Sequence, residues 1–196
     1  ADEGLYSVWD KSYGVLSHGS KWGDHQSLGR HAESQLSPQR NAFVVHRLDR
    51  AATGLMLIAH SKKAAQALGQ LFEARQIDKH YQVAVHGLFP EASQRFTDSL
   101  DNKPALTTAK RFDYNASGDI SYLDVKIETG YKHQIRRHLS QHGYPVVGDR
   151  LYGKLSEACE QELKLTPNLQ LRACQLEFIS PFDGESKQYQ IDGLTA

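Results

Sequence analysis

No apolar run in this chain is longer than a β-strand, and turn-forming residues interrupt the sequence at short intervals. The longest clean run, Gly54-Leu-Met-Leu-Ile-Ala59, is far short of the roughly 20 apolar residues that a helix needs to cross a bilayer. Leu5–Trp9 reads as a short first strand. Ala42–Val45 and Leu55–Ala59 read as buried strands, with Gly54 allowing a sharp change of direction between them. Tyr81–Val85 alternates and stops near Gly87. Thr107–Tyr114 and Ile120–Glu128 form a predicted hairpin around Asn115-Ala-Ser-Gly118. Leu169–Ile179 and Lys187–Ile191 are strands around a turn at Pro181-Phe-Asp-Gly184.

Helical spacing is rarer. Ser61 is a candidate N-cap for a helix with Ala64/Ala65, Leu68 and Leu71/Phe72 on one face. Lys132–Gln141 is helical up to Gly143 and Pro145, and Ser156–Leu165 makes a third helix. Gly14–Arg40 is rich in Gly, Ser, His and charge and reads mostly as loop. Many strands joined by short turns, with few helices, predict an α+β fold. The expected form is a single domain over 1–196, with a largely antiparallel mixed β-sheet flanked by helices. A chain of 196 residues can bury roughly 70% of its unfolded surface, so it needs no disulfide or metal to hold a core.

Charge excludes little by its sum and says more by its distribution. Lys and Arg number 23 and so do Asp and Glu, which argues against a protein that coats nucleic acid non-specifically. Between Lys126 and Lys154, however, six cations face only Glu128 and Asp149. Between His46 and Tyr81, six cations face Asp49, Glu73 and Asp78. Either stretch can line a basic cleft or simply form a solvated face. Cys159 and Cys174 lack a Cys-x-x-Cys arrangement and are expected as two free thiols in a reducing cytoplasm.

Two segments carry recognisable chemistry. In His46-Arg-Leu-Asp-Arg-Ala-Ala-Thr-Gly54, an aspartate sits between two arginines, after a buried strand and before a Gly turn. Neighbouring cations keep such a carboxylate ionised, and it can serve as nucleophile, base, metal ligand or plain ion-pair partner. In Glu128-Thr-Gly-Tyr-Lys-His-Gln-Ile-Arg-Arg-His-Leu139, Lys132, His133 and Arg136 stand near a helix start, where phosphates bind readily.

Together the two segments resemble the RluA/TruC-type pseudouridine synthases, which act on ribosomal and transfer RNA. His46–Gly54 fits that family's His-Arg-Leu-Asp block with its following Thr/Ser-Gly, and Thr129–Leu139 fits its Thr-Gly-x-x-His-Gln-Ile/Leu-Arg-x-His-Leu block. Gly143-Tyr-Pro-Val-Val-Gly-Asp149, Tyr152-Gly153, Lys79-His-Tyr81 and Lys103-Pro-Ala-Leu-Thr107 continue the match in order along the chain. Departures include Lys11-Ser-Tyr-Gly14 in place of Lys-Pro-x-Gly, Ala52 where Thr is common, and Tyr131 where Arg is common. The resemblance is therefore to a divergent member without the N-terminal S4-type domain of larger relatives.

The resemblance implies a pseudouridine synthase fold with the active-site cleft across the sheet. It implies that Asp49 is nucleophile or base, that Arg136 pairs with it, and that Tyr81 stacks on the target base. Arg47 matches a position that fills the space left by a flipped-out uridine. Arg50, Lys79, Lys132, His133 and Arg137 are the remaining expected RNA contacts. The implied reaction is an isomerisation with no redox step, so no cofactor and no metal are expected. The expected partner is tRNA or large-subunit rRNA, with no membrane association, a monomeric state and a cytoplasmic location.

Two rivals remain open at this level. A metal site could use His138 and His142, four apart on a helix, but no third ligand pattern accompanies them. A non-catalytic RNA-binding homologue would be expected to have lost its central aspartate, and Asp49 is present.

Overall fold

The computed structural model describes residues 1–19, 27–153 and 168–194. In chain order the elements are β1 (Tyr6–Lys11), α1 (Leu28–Gln35), β2 (Phe43–Val44), β3 (Thr53–Ala59), α2 (Lys62–Glu73), β4 (Ile77–His86), β5 (Gln94–Phe96), β6 (Thr107–Asn115), β7 (Ile120–Ile127), α3 (Gln134–Gln141), β8 (Leu171–Ile179) and β9 (Ser186–Gln190). They fall into two compact units. The first is Ala1–Asp78 with Gln175–Ile191, and the second is Lys79–Cys174 with Asp192–Ala196. The fold class is α+β, with antiparallel strand pairing throughout the registered pairs of each unit.

In the first unit, β1 and β2 both pair with β3, and the C-terminal half of β8 pairs with β9. Alternation along β1 and β3 sends Tyr6, Val8, Leu55, Leu57 and Ala59 into one core with Leu176 and Phe178. Helix α2 covers that core with Ala64 and Leu68, its apolar stripe. Ser61 caps it as the sequence suggests, its Oγ accepting from the Ala64 N–H at 3.1 Å.

In the second unit, β4, β7, β6 and β5 pair successively. Tyr81 stands opposite Val125, and β6 carries a bulge between Arg111 and Asp113. Helix α3 is fastened to β6 by buried polar groups. Gln134 donates to the Leu106 carbonyl at 2.9 Å and to Thr107 Oγ1 at 3.0 Å, and its Oε1 accepts from Thr129 Oγ1 at 2.8 Å. His138 bonds Thr107 Oγ1 and the Asp98 carbonyl, each at 2.9 Å. A satisfied buried network of this kind sets one helix position rather than several.

The structure refines three local readings. Among the described residues of Gly14–Arg40, the helix α1 interrupts a stretch that is otherwise largely loop, as expected. Strand β4 starts at Ile77, earlier than the alternation suggested. Helix α3 starts at Gln134 and not at Lys132, because His133 holds a left-handed conformation, φ 55°. The expected Ser156–Leu165 helix and Cys159 lie outside the described residues. No helix among the described residues is long and apolar enough to cross a membrane.

Candidate active site

Asp49 sits half-buried in the connection from β2 to β3. It begins a turn in which the Ala52 N–H bonds the Asp49 carbonyl at 3.1 Å. Gly54 then takes φ 109°, a value open to glycine and strained for other residues, and β3 continues from there. The turn is held from both sides. The buried Ser17 hydroxyl accepts from the Leu48 N–H at 3.1 Å and donates to the Leu48 carbonyl at 2.7 Å. The Gly14 N–H donates to the Arg50 carbonyl at 3.0 Å, and Arg50 Nε returns a bond to the Gly14 carbonyl at 3.1 Å. His46 accepts the Leu57 N–H on Nε2 at 2.9 Å and stacks on Phe72 at 4.3 Å. This histidine locks the connection to β3, and its Nδ1 carries the proton when the ring is neutral.

Lys11 completes the support. It lies opposite Gly54 in the β1–β3 register and is fully buried. Its ammonium donates to the carbonyls of Val15 at 3.0 Å and of Ser12 and Arg50 at 3.3 Å. Burial pushes its pKa down from 10.5 to about 8, while the Asp49 carboxylate draws it back up. Between those values the unfolded chain keeps a proton that the folded chain has released. Lys11 therefore adds stability as pH rises from about 8 to 10.5, and imposes its full burial cost below that window. Lys11→Met is expected to remove this dependence. Urea unfolding of both proteins at pH 7.5 and 10 should show wild type gaining on the variant at the higher pH. A gap that shifts the opposite way would mean the ammonium is a net stabilising charge.

In the second unit, Arg136 is 5% exposed and Asp149 is 2% exposed. They form a bidentate pair, Nε to Oδ2 and Nη2 to Oδ1, both at 2.7 Å. The Arg136 guanidinium also lies over the Tyr152 ring, 5.1 Å from its centroid. Burial alone would raise the Asp149 pKa. Arg136 and the backbone N–H groups of Leu151 and Tyr152 outweigh it and hold the carboxyl below its usual range. The preceding Gly148 has φ 76°, and a Cβ there would come within 2.3 Å of the Asn168 carbonyl oxygen. Gly148→Ala is accordingly expected to cost about 3 kcal/mol or more, measurable as a lower denaturation midpoint. An unchanged midpoint would show that the Asn168 backbone moves aside freely.

The remaining expected contacts divide between the units. Arg47, Asp49 and Arg50 share the first-unit turn, with both arginines exposed. In the second unit, Tyr81 is 9% exposed within β4. Lys79 approaches Gly130, where a Cβ would lie 3.7 Å from the lysine Nζ. Lys132 is exposed, His133 bonds the Tyr152 hydroxyl through Nδ1 at 2.9 Å, and Arg137 is paired to Asp101. His138 and His142 both engage Asp98, and no metal-holding cluster of His, Cys, Asp and Glu occurs among the described residues. The motif reading assigned no role to Lys11 or Asp149. Asp149 was visible only as part of a matched stretch, and Lys11 only as the first residue of a departing one.

A sequence model of the family described as RNA pseudouridylate synthase matches residues 5–141, which include both the Asp49 turn and the Arg136 helix. This chain belongs to that family. An uncharacterised RNA pseudouridine synthase of Helicobacter pylori is 32% identical over 88% of this chain and 66% of its own length. Ribosomal large subunit pseudouridine synthase D of Nitrosomonas europaea is 32% identical over 91% of the chain and 56% of its length. tRNA pseudouridine synthase C of Pectobacterium carotovorum is 29% identical over 94% and 55%. The chain thus spans between about half and two thirds of the length of these pseudouridine synthases. Human RNA Pseudouridylate Synthase Domain Containing 1 has the same fold, with a TM-score of 0.76 at 23% identity over 95% of this chain and 79% of that one.

Proposed function

We propose that this chain converts uridine to pseudouridine in RNA, with Asp49 as the catalytic carboxylate. The observation that carries the reading is the Asp49 turn. An ionisable side chain stands half-buried on backbone fixed by Ser17, Lys11 and Gly14, between two exposed arginines, within a family of RNA pseudouridylate synthases. Fixed backbone under a catalytic group limits the reorganisation that a reaction must drive.

The reaction breaks the N1–C1′ bond, turns the base and joins C5 to C1′. A proton leaves C5 and one is gained at N1, so atoms and electrons balance without an external group. Asp49 acts on the detached or detaching sugar as nucleophile or as base. Arg136, whose Nε and Nη2 hold Asp149, is the catalytic arginine of the reaction, and Tyr81 stacks on the target base. Arg47 fills the space vacated when the uridine flips out, a step that costs a few kcal/mol. Arg50, Lys79, Lys132, His133 and Arg137 contact the RNA backbone, which positions the substrate without specifying its sequence. Residues 1–196 work as one catalytic domain, monomeric and cytoplasmic, without cofactor.

The substrate class is transfer RNA or large-subunit ribosomal RNA, the two that appear in the names of its relatives. Unmodified transcripts of each should be incubated separately with the protein, digested to nucleosides and separated by chromatography. A pseudouridine peak from either names the class. No peak from either, with RNA binding intact, favours a binding-only protein.

A further inference from the structure

Arg137 is already occupied. Its two guanidinium nitrogens lie 3.0 and 3.1 Å from the two carboxylate oxygens of Asp101. The Asp101 side chain is 70% exposed and the Arg137 side chain 21%. Asp101 is displayed with unusual definition for a surface carboxylate. Asp101 and Asn102 both hold left-handed conformations, φ 53° and 60°. Leu100 and Lys103 close the turn around them with reciprocal backbone bonds of 2.9 and 3.1 Å. Two positive φ values between paired residues make a tight hairpin turn. Leu100 is fully buried beneath it. The preceding Asp98 is tied to α3 twice, by His142 Nε2 at 2.7 Å to its carboxylate and by His138 at 2.9 Å to its carbonyl. Arg137, and after it Lys103 and Lys132, hold the Asp101 carboxyl below its usual range.

A carboxylate gripping a guanidinium with both oxygens is the same contact that a phosphodiester makes with two of its oxygens. Exposed ion pairs of this kind are weak and easily exchanged. We propose that Asp101 is a built-in competitor for an RNA phosphate: it occupies Arg137 in the free protein and is displaced when the phosphodiester backbone docks between Arg137, Lys103 and Lys132. This deepens the reading of the chain as an RNA-modifying enzyme and rests on it. It adds Lys103 to the RNA-facing cations and gives Asp101 a role of opposite sign. The competitor weakens every RNA equally, because phosphate contacts carry no sequence information, so it lowers affinity without changing the preference among RNAs.

The sign makes the inference testable. Asn tolerates a left-handed position, so Asp101→Asn keeps the turn. Fluorescence anisotropy with an unmodified transfer RNA transcript should show Asp101→Asn binding about twofold to fivefold tighter than wild type. The slope of log affinity against log salt should steepen by up to about one. Arg137→Gln should weaken binding, and in the Arg137→Gln background Asp101→Asn should yield a smaller gain. Equal or weaker binding by Asp101→Asn, with wild type active on RNA, would overturn the inference and leave the functional reading standing. Wild type that neither binds RNA nor forms pseudouridine would overturn both.

Discussion

Asp49→Asn is expected to lower pseudouridine formation by about 10⁴-fold or more, the upper range for loss of one group that handles bonds or protons directly. The variant should still fold. Asn has the shape of Asp, and Ser17 and Gly14 hold the backbone on either side of position 49. RNA affinity should change little, since Arg47, Arg50 and the second-unit cations remain. Single-turnover measurement with saturating enzyme separates the chemical step from binding. Circular dichroism checks the fold. A second consequence follows from the charge lost beside Lys11. Asp49 is the carboxylate that raises the Lys11 pKa, so the buried lysine should release its proton at still lower pH in Asp49→Asn.

Asp149→Ala is expected to destabilise the protein by about 3–5 kcal/mol, the usual cost of removing one half of a buried ion pair. Both partners lie almost wholly out of solvent, and the pair is bidentate at 2.7 Å. Asp149 also accepts the N–H groups of Leu151 and Tyr152, at 2.9 and 3.1 Å, so the turn that follows Val146 loses its centre as well. The pH dependence has a definite direction. The folded pKa of Asp149 lies below its ordinary 3.8, so its stabilisation is complete at neutral pH and is lost only as pH falls through that lowered value. Chemical denaturation at pH 7 and pH 5 should therefore give the same gap between wild type and variant. A gap that closes by pH 5 would mean that the carboxyl is held above its ordinary range. Because Arg136 is also a proposed catalytic partner, the variant should lose turnover along with stability.

The strands were legible because period-2 alternation and turn residues are local signals. Thr107–Asn115 and Ile120–Ile127 emerged within a residue of their expected ends, with Asn115 and Gly118 marking the turn. Helix α1 was hidden for a physical reason. It buries only Leu28, Gly29 and Ala32, so it has almost no apolar stripe, and its surroundings are polar. The one available signal was Ser27, whose hydroxyl caps the helix by accepting from Arg30. Strand β5 is three residues long with Phe96 as its only buried side chain, too short for alternation to register. Tyr81, on β4, was readable as a buried strand aromatic, and the structure leaves it there, 9% exposed.

The residues proposed to carry the chemistry were picked out as motifs, but the groups that hold them in place were not. Nothing local distinguishes Lys11 from a surface lysine. Its burial depends on Arg50, 39 positions away, folding over it. Asp149 and Arg136 are 13 positions apart across a turn that Gly148 makes possible, and only the tertiary structure reveals them as a pair. Arg137 was expected only as an RNA contact, and its engagement with Asp101, 36 positions earlier, was equally invisible.

The most direct test is tritium release from RNA transcripts labelled at uracil C5, with wild type and Asp49→Asn side by side. Forming the C5–C1′ bond displaces the C5 hydrogen, so release reports the bond change itself. Stoichiometric release by wild type and none by the variant is the predicted result. Equal release by both would remove Asp49 from the chemistry, and no release from transfer or ribosomal transcripts by a folded, RNA-binding wild type would contradict the proposed activity.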